Sequence, residues 1–311
     1  SKSIRRCTVK LLMENWRNFV NEELPADFSG AQVVPVVNFL NSPEGKDPKV
    51  RAMLGAGSDD GIPGDEVIDV TKAQPPVGAL KPTQNQISLM KSIGYPLSKL
   101  DSVTNALTGD ITGRGKSIVT SGDLVIDGHH RWSSTWATAG AKVKISALNI
   151  DLPGAGPLNK LAIAQVAIVA TMPPDAGDVP KANASASDNI LGKSAEEIKS
   201  MILDRRGQQT EGGVLLGDEY LQKIVEVPAA QKLWGVKPGM SPEDTMNQIV
   251  NVISNNLSQL PPPQGPERSY MPQFDGGETH DGQVSLGNVV KKMQSGGVNY
   301  KAAYKAAKQG K

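Results

Sequence analysis

Apolar positions along the chain change their period several times, and each change marks an element. In residues 8–23, Leu11, Leu12, Trp16, Phe19 and Val20 recur at helical spacing and predict one amphipathic leader helix, 1–23. Residues 24–65 lose that period. Pro, Gly, Asp and Ser crowd NSPEGKDPK and GAGSDDGIPGDE, which predicts an irregular linker with one short strand at Val33–Val37. EVIDV (66–70) reads as a strand, Thr83 is placed to cap a short helix starting near Asn85, and Leu97–Leu107 reads as a further helix. Ser117–Thr120 and Asp123–Ile126 are β-rich runs joined by Ser121-Gly122, a hairpin signal. A helix then ends at Gly140, and Val143–Ile150 is another strand. Residues 66–152 therefore alternate short strands and helices, the pattern of one small α/β domain.

After Pro153-Gly154-Ala155-Gly156-Pro157 the period becomes helical, over 158–171, 194–206, 217–227 and 241–259. Ser194 with Glu197 has capping-box spacing, and Ser241 with Asp244 resembles it. The fold class expected is thus α/β (α+β), a small mixed-sheet domain followed by a mostly helical region, 153–259. Residues 260–311 form a Pro/Gly-rich loop and a basic tail, whose last 21 residues hold six lysines and no acid.

Composition narrows the function classes. The 311 residues carry 33 Lys+Arg against 32 Asp+Glu, a net charge of +1, which argues against a whole-chain nucleic-acid binder. Hydrophobic residues make up 38%, with 32 Gly and 22 Pro, so the core is lean and the loops long. Cys7 is the sole cysteine, which excludes an internal disulfide and any zinc site needing two thiolates, and suits a reducing, cytoplasmic setting. No run approaches the ~20 apolar residues of a membrane span, and Lys10, Glu14 and Arg17 break the N-terminal stretch as a signal peptide.

Chemistry concentrates in Leu124-Val-Ile-Asp127-Gly128-His129-His130-Arg131-Trp132, where a strand ends, the chain turns at a glycine and a helix begins. A helix start offers unpaired N–H groups and a partial positive charge, so it attracts anions. Gly128 leaves the backbone open to approach, Arg131 is able to clamp oxygens bidentately, and His129 or His130 to donate to phosphate or shuttle a proton. The same run is equally an ordinary turn with polar residues at a helix start, and residue types alone leave the two readings level. Gly109-Asp-Ile-Thr-Gly-Arg114-Gly115-Lys116-Ser117 lacks the first glycine of a Walker A loop and leads into a strand. Arg114 and Lys116 nevertheless remain candidate phosphate contacts. Metal coordination through both adjacent histidines is disfavoured, since they diverge on a helix, so no metal site is expected from these side chains.

VIDGHHRW, after a hairpin and downstream of LKPTQNQI, resembles the ParB/sulfiredoxin superfamily, in which a strand–Gly–x–x–Arg–helix element binds nucleotide phosphates; the likeness covers residues 66–152. It is most similar to the free-serine-kinase branch, whose motif is very like Asp-Gly-His-His-Arg. The sulfiredoxin cysteine and the ParB glutamate would both fall at His129. The resemblance implies a nucleotide-binding protein that hydrolyses a nucleoside di- or triphosphate or transfers its phosphoryl group, with ATP or ADP and Mg²⁺. Gly128, His129, His130 and Arg131 would cradle the phosphates, Asp127 and His129 would be catalytic, and Thr83, Gln84 and Gln86 would contact nucleotide or substrate. The kinases also place a catalytic glutamate near the Pro-Thr element, where this chain has Gln84, Asn85 and Gln86, and an amide takes no proton from a hydroxyl. Two alternatives stand: a DNA-binding protein or nuclease using the basic tail, and a non-enzymatic virion component. The latter is suggested by LLMENWRNFVNEE, which looks like the leaders of proteins packaged in tailed-phage heads. The setting is then host cytoplasm or virion interior.

Overall fold

The computed structural model describes residues 32–57, 67–154, 156–181, 188–275 and 284–300. In chain order the helices are α1 (Val33–Asn41), α2 (Pro48–Leu54), α3 (Leu89–Ile93), α4 (Leu100–Ala106), α5 (His129–Ala139), α6 (Pro157–Thr171), α7 (Ala195–Leu203), α8 (Asp218–Ile224), α9 (Pro228–Trp234), α10 (Pro242–Leu257) and α11 (Leu286–Gln294). The principal strands are β1 (Val70–Ala73), β2 (Lys81–Pro82), β3 (Ile118–Ser121), β4 (Leu124–Asp127) and β5 (Ala147–Ile150). This is a mixed α/β protein. The chain divides into two units, residues 1–70, 151–181 and 272–311, and residues 71–150 and 182–271.

In the first unit, Val33, Val36, Val37 and Leu40 fall at helical spacing, and each is at most 2% exposed. They bury α1 against α6, a helix whose residues 161–170 are all buried. The strand expected at Val33–Val37 is therefore a helix: burial of one face outweighs the β preference of the valine run, and Pro35 sits in the first turn, where it removes no intrahelical bond. Asp47 caps α2 by accepting from Lys49 N at 2.8 Å. Arg51, 2% exposed, donates from Nε to Gly45 O at 2.7 Å and from Nη2 to Leu40 O at 2.8 Å, so a buried cation fastens the end of α1. Residues 33–54 are thus structured rather than linker. The leader helix expected over 1–23 and the tail 301–311 lie outside the described residues, as do Cys7 and His280.

In the second unit the five strands run in the order β1-β5-β3-β4-β2. β3 and β4 form the expected antiparallel hairpin, turning at Gly122, while β5 joins β3 and β2 joins β4 in parallel. Trp132 and Trp136 of α5 meet edge to face at 5.4 Å. Trp132 is fully buried, and its indole donates to Val77 O at 3.0 Å. Helices α7–α10 share one apolar core with the sheet unit, running from Val77 to Leu257. At its seam Trp234 Nε1 donates to Thr138 O and Asn256 Nδ2 to Ala137 O, both at 2.9 Å. Residues 153–259 accordingly do not form a separate helical domain: α6 belongs to the first unit and α7–α10 to the second. Among the described residues no helix is long and apolar enough to cross a membrane.

Candidate functional site

Strand β4 delivers the chain to Asp127, and Gly128 turns it into α5 with φ +87° and ψ +25°. Only glycine adopts that conformation without strain. A Cβ at Gly128 would lie 2.8 Å from Ile118 Cγ2. The missing side chain therefore makes room for β3, not for an approaching phosphate. Gly128 N donates to Asp127 Oδ1 at 2.8 Å. The amides of His129 and His130, at the first two positions of α5, have no carbonyl to pair with inside the helix.

From here successive side chains step about 100° around the helix, and they diverge in role. His129 is 3% exposed. Its Nε2 accepts from Thr83 N and from Gln84 N, each at 3.2 Å. His130 Nε2 accepts from Ser88 N at 3.3 Å. Accepting at Nε2 assigns the proton of each neutral ring to Nδ1. Burial, then the charge of His130, holds His129 down at about 3; burial, then the charges of Arg268 and Lys91, does the same for His130. Neither ring has the free Nε2–H of a phosphate donor, and a proton shuttle working near neutral pH requires a different titration range. The donor and catalytic roles expected of His129, and the donor role of His130, are corrected accordingly: both rings fasten the segment that follows β2.

That segment is closed upon itself. Thr83 Oγ1 donates to Val125 O, and Gln84 Nε2 donates to Gln86 O. Thr83 does not cap a helix. Ser88 does, accepting at Oγ from Lys91 N at 3.3 Å, because Pro82 is still paired with β4 and the chain stays extended. The side chains of Thr83 and Gln84, expected to contact nucleotide, are committed inside the protein, while Gln86 enters this network through its backbone carbonyl.

Arg131 faces the other way. Its Nη1 donates to Lys116 O at 2.6 Å and to Ser117 O at 3.0 Å. Burial depresses its pKa, partly offset by Asp127 and Asp110, with Arg114 opposing. The 110–117 loop thus does come to the motif, but through the carbonyl of Lys116 rather than its amine, and through Arg114 as a like charge. Gly115 N donates to Asp110 Oδ2, which closes the loop.

Lys291 and Lys292 of the tail lie on α11 in the first unit. With Ala170, Thr171, Asn288 and Ser295 they line a cavity of about 480 Å³ at the carbonyl end of α6, where cations complement the helix dipole. Among the described residues no three His, Cys, Asp or Glu side chains gather as a metal-binding group. No protein-family model, no curated protein and no solved structure matches the chain.

Proposed function

We propose that the second unit binds the phosphates of a nucleoside di- or triphosphate at the N-terminal end of α5. One observation carries the reading. The Arg131 guanidinium is oriented without being used up: Nη1 holds two carbonyls, while Nε and Nη2 have no acceptor among the described residues. A guanidinium oriented by its own protein and stripped of part of its water is preorganised for a dianion. The N-terminal amides of α5 supply further donors on the same turn.

Phosphoryl transfer or hydrolysis then needs little beyond positioning and charge. Asp127, adjacent to the turn, is the carboxylate assigned to orient an acceptor or a Mg²⁺-bound water. Mg²⁺ held by one carboxylate and the nucleotide's own oxygens needs no preformed protein cage. A second reading has its own support: the closed state of the His129 and His130 rings fits a phosphate-binding turn kept as scaffold, without catalysis.

Calorimetric titration of the full chain with ATP, ADP, CTP and GTP, each with Mg²⁺, separates the two. The proposal expects binding of at least one nucleotide, weakened at least tenfold in Arg131→Gln with the fold retained, and phosphate release from that nucleotide. Binding without turnover leaves a nucleotide-binding module. Absence of binding by all four overturns the proposal in favour of the scaffold.

A further inference from the structure

Helix α11 sorts its residues by face. Val289 and Met293, four positions apart, are fully buried in the first unit. Asn288, Lys291, Lys292 and Ser295, the last just past the helix end, recur at i, i+3, i+4 and i+7, which keeps their side chains within one arc of about 100°. That arc and the end of α6, at Ala170 and Thr171, line the open cavity of about 480 Å³. Its size falls in the range of small-molecule sites, roughly 300–1,000 Å³. The lining holds two cations and no carboxylate.

Lys292 is not a loose surface amine, because two glycines make room for it. A Cβ at Gly297 would lie 2.7 Å from Lys292 Cδ and 2.9 Å from its Cε, so the stem runs across backbone that has no side chain in the way. A Cβ at Gly55, just after α2, would lie 2.9 Å from Ala170 O and 3.6 Å from Lys292 Nζ, so the amine is brought toward the last carbonyls of α6. The turn beyond α11 is fixed in turn: Gly297 N donates to Lys292 O at 2.8 Å, and Asn299 N donates to Leu54 O at 3.0 Å.

Among the described residues the side chains of Asn288, Lys291 and Lys292 make no hydrogen bond or ion pair. Thr171 Oγ1 donates to Ile168 O at 2.7 Å and Ser295 Oγ to Lys292 O at 3.1 Å. Both hydroxyls thus commit their proton to a helix carbonyl and keep lone pairs as acceptors. The cavity offers two positive charges, an amide and two hydroxyl acceptors. A phosphomonoester carries close to two negative charges near neutral pH, which matches the lysine pair, whereas a carboxylate or a phosphodiester carries one. Hydroxyl acceptors call for donors on the ligand, which a polyol supplies. We propose that this cavity binds a phosphorylated polyol of sugar-phosphate size, its phosphate held by Lys291 and Lys292 and its hydroxyls by Thr171 and Ser295. The site lies wholly in the first unit and is independent of the nucleotide reading.

The test is calorimetric titration of the full chain at low ionic strength with ribose 5-phosphate, inorganic phosphate and a short DNA duplex, in wild type, Lys291→Gln, Lys292→Gln, Ser295→Ala and Arg131→Gln. The proposal expects saturable binding of ribose 5-phosphate, at least tenfold weaker in each lysine variant and unchanged in Arg131→Gln. Ser295→Ala weakens ribose 5-phosphate while leaving inorganic phosphate as in wild type. Loss in Arg131→Gln, with both lysine variants binding as wild type, assigns the phosphate to the start of α5 and overturns the cavity site. Equal affinity for inorganic phosphate and ribose 5-phosphate overturns the polyol assignment. Binding of the duplex without binding of ribose 5-phosphate overturns the proposal in favour of a phosphodiester surface, and binding of no probe overturns it outright. Lys291 is exposed, so Lys291→Gln carries the test should Lys292→Gln fail to fold.

Discussion

The two flanks of the α5 start are built from neighbouring residues and do opposite things. On one flank His129 and His130 are acceptors that hold the amides of Thr83, Gln84 and Ser88. On the other, Arg131 is a donor that holds two carbonyls of the 110–117 loop and retains further N–H groups. The difference is one of stoichiometry. An imidazole accepting at Nε2 has a single remaining polar atom, whereas a guanidinium has five N–H donors and satisfies a loop with one nitrogen. A motif rich in imidazole and guanidinium therefore divides into a closed, structural flank and an open, ligand-ready flank.

Acid gives the largest effect separating them. His129 and His130 sit near 3 in the fold, against 6.5 for an unperturbed ring, so the unfolded chain takes up their protons first. The stability they hold is fully present above pH 6.5 and is lost as pH falls toward 3, at up to about 1.4 kcal/mol per pH unit for each ring. Urea denaturation at pH 7, 5.5 and 4.5 measures it. His129→Gln flattens the slope, while Arg131→Gln leaves it unchanged; equal slopes in wild type and His129→Gln would break the comparison.

Truncation comes next. His129→Ala leaves the buried amides of Thr83 and Gln84 without an acceptor and opens a cavity, costing about 3 kcal/mol by chemical denaturation. Gly128→Ala combines a positive φ with a contact on Ile118 and costs about 2 kcal/mol by the same measurement. Smallest in stability is Arg131→Lys, at about 1 kcal/mol. It keeps the charge and loses the fork, so nucleotide affinity falls at least tenfold, read by calorimetry, while the melting temperature moves little.

Much of the fold is legible where local signals and burial agree. The β3–β4 hairpin, α6 and α10 fall close to where period and turn chemistry put them, and Ser194 with Glu197 closes a capping box around α7. Val33–Val37 misleads because a β-branched run says strand until α6 is present to bury it. At the site, the turn at Gly128 follows from the sequence. The use of the histidine rings does not. Their partners lie more than 40 positions away, in amides that every residue type other than proline possesses, so no residue pattern announces them.

The central claim, that the open flank receives phosphate, is tested most directly by amide and arginine-side-chain NMR of ¹⁵N-labelled protein during titration with ATP and Mg²⁺. The account predicts that the largest shifts fall on the amides of His129 and His130 and on Arg131 Nε, with the amides of Thr83 and Gln84 nearly still. Saturable shifts centred elsewhere, or none at millimolar nucleotide, would contradict it and leave the Asp127–Arg131 turn as architecture.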